Sequence, residues 1–279
     1  GSRFGADALY NGSNRESGGR ITIFVKEGAE ATKKKDSISL VISREGESIR
    51  TLKFPRPKMA GFTRVNWRLD EKGVDRPSKS VRKSTREPSG APALPGTYEL
   101  AVSLGETTDT ATITVALDPR LSHTLADFMS SYTAQKDIES LTKNLAIATN
   151  HLAQAKSELD KLSKELPTLE IEGKDAVESK VKEQLKSIEN IQNSIFGTVD
   201  KRQGITRNPE MTTLTRISNA SRYVRTRVSG ITATEKQLME FAEKAVSESV
   251  KEIESYLLTY QQFVEELHSV SNPLLKPIK

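Results

Sequence analysis

Residues 94–120, LPGTYELAVSLGETTDTATITVALDPR, hold the change on which the fold turns. Pro95-Gly96 makes a turn, and Tyr98, Leu100, Val102 and Leu104 alternate along the strand that follows. Gly105-Glu106 opens a polar turn. Ala111, Ile113, Val115 and Leu117 then alternate again, and Asp118-Pro119 stops them. Beyond Asp118 the apolar residues return every three or four positions instead of every two. The spacing predicts strands before this point and helices after it.

Toward the N-terminus the same alternation repeats. Ile21, Ile23 and Val25 line one face of residues 20–26, with Phe24 turned to the other side, which is expected to be partly covered. Ile38, Leu40 and Ile42 point inward from residues 37–43. Glu45-Gly46 turns the chain, with glycine where a positive φ is wanted, into a third strand at 48–54 that Pro55 and Pro57 end. Residues 61–70 (GFTRVNWRLD) form a fourth strand, and Trp67 shares its Val65–Leu69 face as a core anchor. Residues 71–93 are a long loop rich in breaks and basic residues, among them Arg76, Lys79, Arg82, Lys83 and Arg86. A loop of that length is either functional or solvated, and a docking segment is its functional reading. Six or seven short strands with turns between them predict an immunoglobulin-like or fibronectin-III-like β-sandwich over 19–118, after a loose Gly/Ser/Asn-rich arm at 1–18.

Toward the C-terminus, Ile138, Leu141, Leu145, Ala148, Leu152, Ala155, Leu159, Leu162 and Leu166 make a coiled-coil-like seam that Pro167 ends. Val177, Val181, Leu185, Ile188, Ile191 and Ile195 mark a second helix over 175–203. Asn208-Pro209-Glu210 reads as the start of a third, carrying Met211, Leu214, Ile217, Ser221, Val224 and Val228 to a stop at Gly230. Thr232-Ala233-Thr234-Glu235 is a capping box opening a fourth, with Leu238, Phe241, Ala245, Ile253, Tyr256, Tyr260, Phe263 and Leu267 inward until Asn272-Pro273. Residues 119–279 therefore predict an antiparallel four-helix bundle with long helices. The third helix is Arg-rich (Arg207, Arg216, Arg222, Arg225, Arg227), and Arg222 and Arg225 join Arg76, Lys79, Arg82, Lys83 and Arg86 as candidate partner contacts.

Composition narrows the function classes. The 279 residues are 35% hydrophobic and 28% charged, with no cysteine, which removes disulfides and thiolate chemistry. Twenty Lys and Arg face fourteen Asp and Glu up to Leu117, whereas 22 face 23 beyond it, so any basic surface belongs to the first part. His123, His151 and His268 lack partners at metal spacing. Phosphate loops and nucleophile elbows are missing, and the Glu pairs of the helices read as solvated faces. No catalytic residue, metal or cofactor is expected. The basic loop has no interleaved aromatics, which disfavours nucleic acid. No apolar run is long enough to span a membrane. Gly1-Ser2 without an initiator Met reads as the scar of a cleaved tag, with the native start upstream.

Several of these segments together resemble a known family. Glu45-Gly46, Ile49-Arg50-Thr51-Leu52, Gly61, Val65, Trp67, Leu69, Pro95-Gly96-Thr97-Tyr98 and Asp118-Pro119-Arg120 occur in the order found in the C-terminal region of bacterial sortilin-like, Asp-box (BNR) repeat proteins, described as glycosyl-hydrolase-like. The resemblance covers about residues 19–270. In that family a β-propeller precedes a sandwich and a helical region. No Asp-box motif occurs in this chain, so no substrate of the propeller carries over to any residue. The resemblance implies a non-catalytic C-terminal accessory module of an exported protein (periplasmic, outer-membrane-associated or secreted). Its expected partner is the propeller or another protein, with the helices as a candidate oligomer surface. A carbohydrate-binding or adhesion module is the alternative.

Overall fold

The structure is a computed structural model that describes residues 12, 16–26, 37–81, 86–168, 173–198, 211–226 and 229–270, with side chains as far as Leu267. Most of the expected arm, Arg82, Lys83, Arg207, Arg227, Val228, the 208–210 start signal, the His268 side chain and the 272–273 stop lie outside the described residues. Among the described residues, eight strands precede four α-helices: β1 Gly19–Val25, β2 Ile38–Arg44, β3 Glu47–Phe54, β4 Gly61–Trp67, β5 Asp70–Lys72, β6 Ser89–Pro92, β7 Gly96–Leu104, β8 Thr107–Val115, then α1 Leu125–Glu165, α2 Lys174–Phe196, α3 Thr213–Thr226 and α4 Ala233–Val270. The protein is mixed β and α, and its contacts divide it into two compact units.

The first unit holds residues 1–71 and 92–116. β3, β2, β7 and β8 form a four-stranded sheet in that order, and β1 pairs with β4 in a second sheet. The β2–β3, β2–β7, β7–β8 and β1–β4 pairings are all antiparallel. Glu45 and Gly46 both have positive φ, the geometry that a two-residue hairpin needs to match strand twist. Inner residues of both sheets (Leu40, Ile42, Val65, Trp67, Tyr98, Leu100) join Ala93 in one apolar cluster. Trp67 is fully buried, meets Tyr98 edge to face at 5.2 Å, and donates its indole N–H to the Asp70 carbonyl at 2.9 Å. That bond satisfies the only polar atom of a buried indole.

Three expectations for this unit change. β8 is an edge strand, so Ala111, read as inward, is exposed. Leu69, read as a continuation of the fourth strand, lies beyond the end of β4 with φ of 56° and accepts the Ala93 N–H at 2.8 Å. Phe24 stands out in solvent on a side expected to be partly covered.

The second unit holds residues 117–279 together with Lys72–Ala91, the segment read from sequence as a loop of the first domain. α1 is 41 residues long, roughly 60 Å at about 1.5 Å per residue. Thr124 caps it: its hydroxyl accepts the Asp127 N–H, and the Asp127 carboxylate reaches back to the Thr124 N–H. The seam from Ile138 to Leu166 is buried, with Leu141 half-buried, in a core that all four helices supply. Each helix touches the other three.

α2 ends at Phe196, short of the expected 203. At the described start of α3, the Thr212 hydroxyl accepts the Thr215 N–H at 3.1 Å. In α4 the buried stripe runs through Ala242 and Val246 rather than Phe241 and Ala245. Phe241 is 45% exposed and lies 5.7 Å under the Arg216 guanidinium. Thr213 and Ser249 share a buried hydroxyl hydrogen bond of 2.8 Å between α3 and α4.

Candidate partner-binding groove

Within the helical unit, the segment Lys72–Ala91 is anchored at its base and along its length. Gly73 and Gly90 face each other so closely that a Cβ on Gly90 would stand 2.7 Å from the Gly73 nitrogen. The Gly73 N–H donates to the Pro88 carbonyl at 2.9 Å. Farther out, Gln192 of α2 donates from Nε2 to the Lys79 carbonyl at 3.0 Å. Lys79 Nζ reaches the Gly197 carbonyl, at the C-terminal end of α2, at 3.4 Å and stands 5.7 Å over the Phe196 ring. A cation there meets the negative end of the helix and a carbonyl without an intrahelical partner. Arg225 of α3 donates to the Gly90 carbonyl at 3.5 Å.

This anchoring closes one side of a groove of about 440 Å³. Arg76, Val74 and Pro77 come from the segment, Gln135, Ile138 and Thr142 from α1, and Leu214, Ile217, Ser218, Ser221, Arg222 and Arg225 from α3. The α3 residues fall at positions i, i+3, i+4, i+7, i+8 and i+11, one face of a helix. Its apolar residues Leu214 and Ile217 line the groove together with its serines and arginines. Arg76, Arg222 and Arg225 are exposed, and Arg222 lies 5.4 Å over the Tyr223 ring. Glu139 also lines the groove, and Lys136 holds its carboxylate at 3.3 Å. The lining combines guanidinium and hydroxyl donors with apolar side chains. Guanidinium donors of this kind pair with carboxylates.

Of the seven candidate contacts, the structure brings together Arg76, Arg222 and Arg225. Lys79 turns to the end of α2 instead. Arg86 is exposed outside this groove, and Arg82 and Lys83 lie outside the described residues. Sequence reasoning missed Gln192, Ser218 and Ser221. The serines carried a signal, since they stand four residues before Arg222 and Arg225 on the same helical face.

Near the start of α1, Asp118 accepts the Arg120 N–H at 3.0 Å and its guanidinium at 2.6 Å. These bonds hold the Asp118 carboxyl well below the ordinary range. Backbone and hydroxyl bonds from Thr124 and the backbone N–H of Gly230 lower that of Asp127 in the same direction. His151, read as a surface residue, is half-buried and lines a separate groove between α1 and α4. Among the described residues, no three His, Cys, Asp or Glu gather to hold a metal ion, and no helix is long and apolar enough to cross a membrane. No family model, curated protein or solved structure matches this chain.

Proposed function

We propose that this chain is a non-catalytic accessory module of an exported sortilin-like β-propeller protein, serving domain packing and protein–protein interaction. The observation that carries the interaction role is the convergence of Arg76, Arg222 and Arg225, separated by up to about 150 positions in the chain, around one donor-rich groove. The propeller assignment rests on the resemblance of the strand and turn motifs. We read the first unit as an immunoglobulin-like or fibronectin-III-like sandwich. In support, the β3-β2-β7-β8 and β1-β4 sheets share a core, and the Tyr98 hydroxyl donates at 2.6 Å to the Leu94 carbonyl four residues upstream, as a tyrosine corner does. The helices are read as an antiparallel four-helix bundle on their seam and shared core.

Two measurements test this. The coding sequence upstream of Gly1 should carry repeated Asp-box motifs, and an unrelated domain there would remove the propeller assignment. The propeller, produced separately, should bind this chain in calorimetry, and Arg222→Glu with Arg225→Glu should weaken binding by about tenfold or more. Undiminished affinity would move the partner surface away from the groove.

A further inference from the structure

The outward face of the β1–β4 sheet has the makings of a ligand platform that the packing of the unit does not use. The register sets Arg20 opposite Asn66, Thr22 opposite Arg64 and Phe24 opposite Phe62. Successive residues of a strand point to opposite faces, so these six side chains share one side, while Ile21, Ile23, Val65 and Trp67 face the core. Phe24 is 58% exposed and Phe62 81%, and their rings lie 5.1 Å apart at 58° to each other. A cross-strand aromatic pair stabilises a sheet by itself, and two touching rings left in solvent also offer a stacking surface.

The remaining outward positions are polar or basic, and none is a carboxylate. Arg64 donates from Nε to the Thr22 hydroxyl at 3.3 Å, which holds its guanidinium across the strand pair. Asn66 is tied to the Ser17 carbonyl at 2.9 Å. At the phenylalanine end, Lys26 follows β1 and Lys58 precedes β4, both exposed. The strip thus places two flat apolar faces between cations at each end.

That pattern specifies its ligand. An aromatic ring takes up the flat C–H face of a sugar, and a guanidinium takes up a carboxylate through paired N–H donors. A chain of uronic acid residues offers both in every repeat. The ring tilt argues against a nucleic acid, because bases stacked in succession lie parallel and want parallel platforms. Sugars joined by rotatable glycosidic bonds turn their faces relative to one another. We propose that the outward face of β1 and β4 binds an anionic polysaccharide built of uronic acids, with Phe24 and Phe62 stacking on sugar faces and Arg20 and Arg64 pairing with carboxylates.

The test is affinity electrophoresis of the whole chain in gels containing polygalacturonate, a neutral galactan, or a single-stranded oligothymidylate. Polygalacturonate should retard the chain. Phe24→Ala with Phe62→Ala should weaken the retardation by about tenfold or more, and Arg64→Gln should weaken it and flatten its salt dependence. These side chains lie outside the core, so circular dichroism should be unchanged in each variant. Equal retardation of the double phenylalanine variant would overturn the proposal, as would retardation by oligothymidylate alone or binding of neutral galactan as tight as that of polygalacturonate. None of these results bears on the arginine groove, whose residues are untouched.

Discussion

The guanidinium of Arg50 lies 3.4 Å from the carboxylate of Asp70, and the two side chains are only 6% and 10% exposed. Arg50 stands on β3 and Asp70 opens β5. The Asp70 carbonyl also accepts the Trp67 indole N–H, so this residue is held at both its backbone and its side chain. A buried charge that loses its partner cannot recover water. Asp70→Ala should therefore cost about 3–5 kcal/mol, and Arg50→Met a similar amount, while the double variant should cost much less than the two together. Trp67 is the only tryptophan and sits in the core of the first unit, so its fluorescence during urea unfolding reports on that unit alone. A loss below about 1 kcal/mol for Asp70→Ala would show that the pair is hydrated in solution.

The start of α1 depends on a reciprocal cap. Thr124→Ala removes the acceptor of the Asp127 N–H and should cost about 1 kcal/mol of helical stability. Asp127 bonds in addition to the Gly230 N–H at 3.1 Å, which ties this end of α1 to the approach to α4. Its carboxyl titrates below the ordinary value in the folded chain. The stabilisation is therefore present above the unfolded pKa of about 3.9 and is lost as pH falls below it. Far-ultraviolet circular dichroism of the acid transition should show a later onset in the wild type than in Asp127→Asn measured from its own neutral baseline. Identical acid midpoints would contradict the role of this carboxylate.

Tyr256 and Tyr260 lie on the buried stripe of α4. Burial pushes the phenol of Tyr256 above the ordinary range and that of Tyr260 up to about 12. The folded chain thus holds these protons after the unfolded chain has released them. Stability should fall as pH rises from about 10, the usual phenol value, to about 12. In an absorbance titration these two phenols should ionise late, and their ionisation should coincide with loss of helical dichroism. Phenolate formation complete near pH 10 with the helices intact would refute the assignment.

Gly90 should tolerate no side chain. A Cβ there meets the Gly73 backbone at 2.7 Å, and backbone cannot rotate aside as a flexible side chain does. Gly90→Ala should destabilise by about 1–3 kcal/mol and loosen the anchoring of Lys72–Ala91, increasing cleavage by trypsin after Lys79. At Gly46 no atom lies within 4 Å of a built Cβ, and only its φ of 83° opposes substitution. Gly46→Ala should cost about 1 kcal/mol and leave that cleavage unchanged. Equal cleavage in the two variants would mean that the close approach does not hold the segment.

Whatever repeats along the chain was legible in the residues alone. The period of two marked β1–β4, β7 and β8, the nearly heptad spacing marked α1, and Glu45-Gly46 marked a turn, because each signal is contained within a few neighbouring residues. The buried seam from Ile138 to Leu166 follows from that spacing alone. β5 (Asp-Glu-Lys) and β6 (Ser-Gly-Ala-Pro), three and four residues long, are too short to carry such a period. Tertiary structure decided which faces stay open. Alternation separates Phe24 from Ile23 without saying what covers either, and only the pairing with β4 places Phe62 beside it in solvent. It also decided that Ala242 rather than Phe241 enters the core, since neighbouring helices choose among adjacent apolar positions. Likewise Arg76 lines the same groove as Arg222 and Arg225 only because a segment in the β half of the sequence lies beside α3. A contact across so many residues is set by packing, which minimises exposed apolar surface over the whole chain, and local spacing carries no record of it.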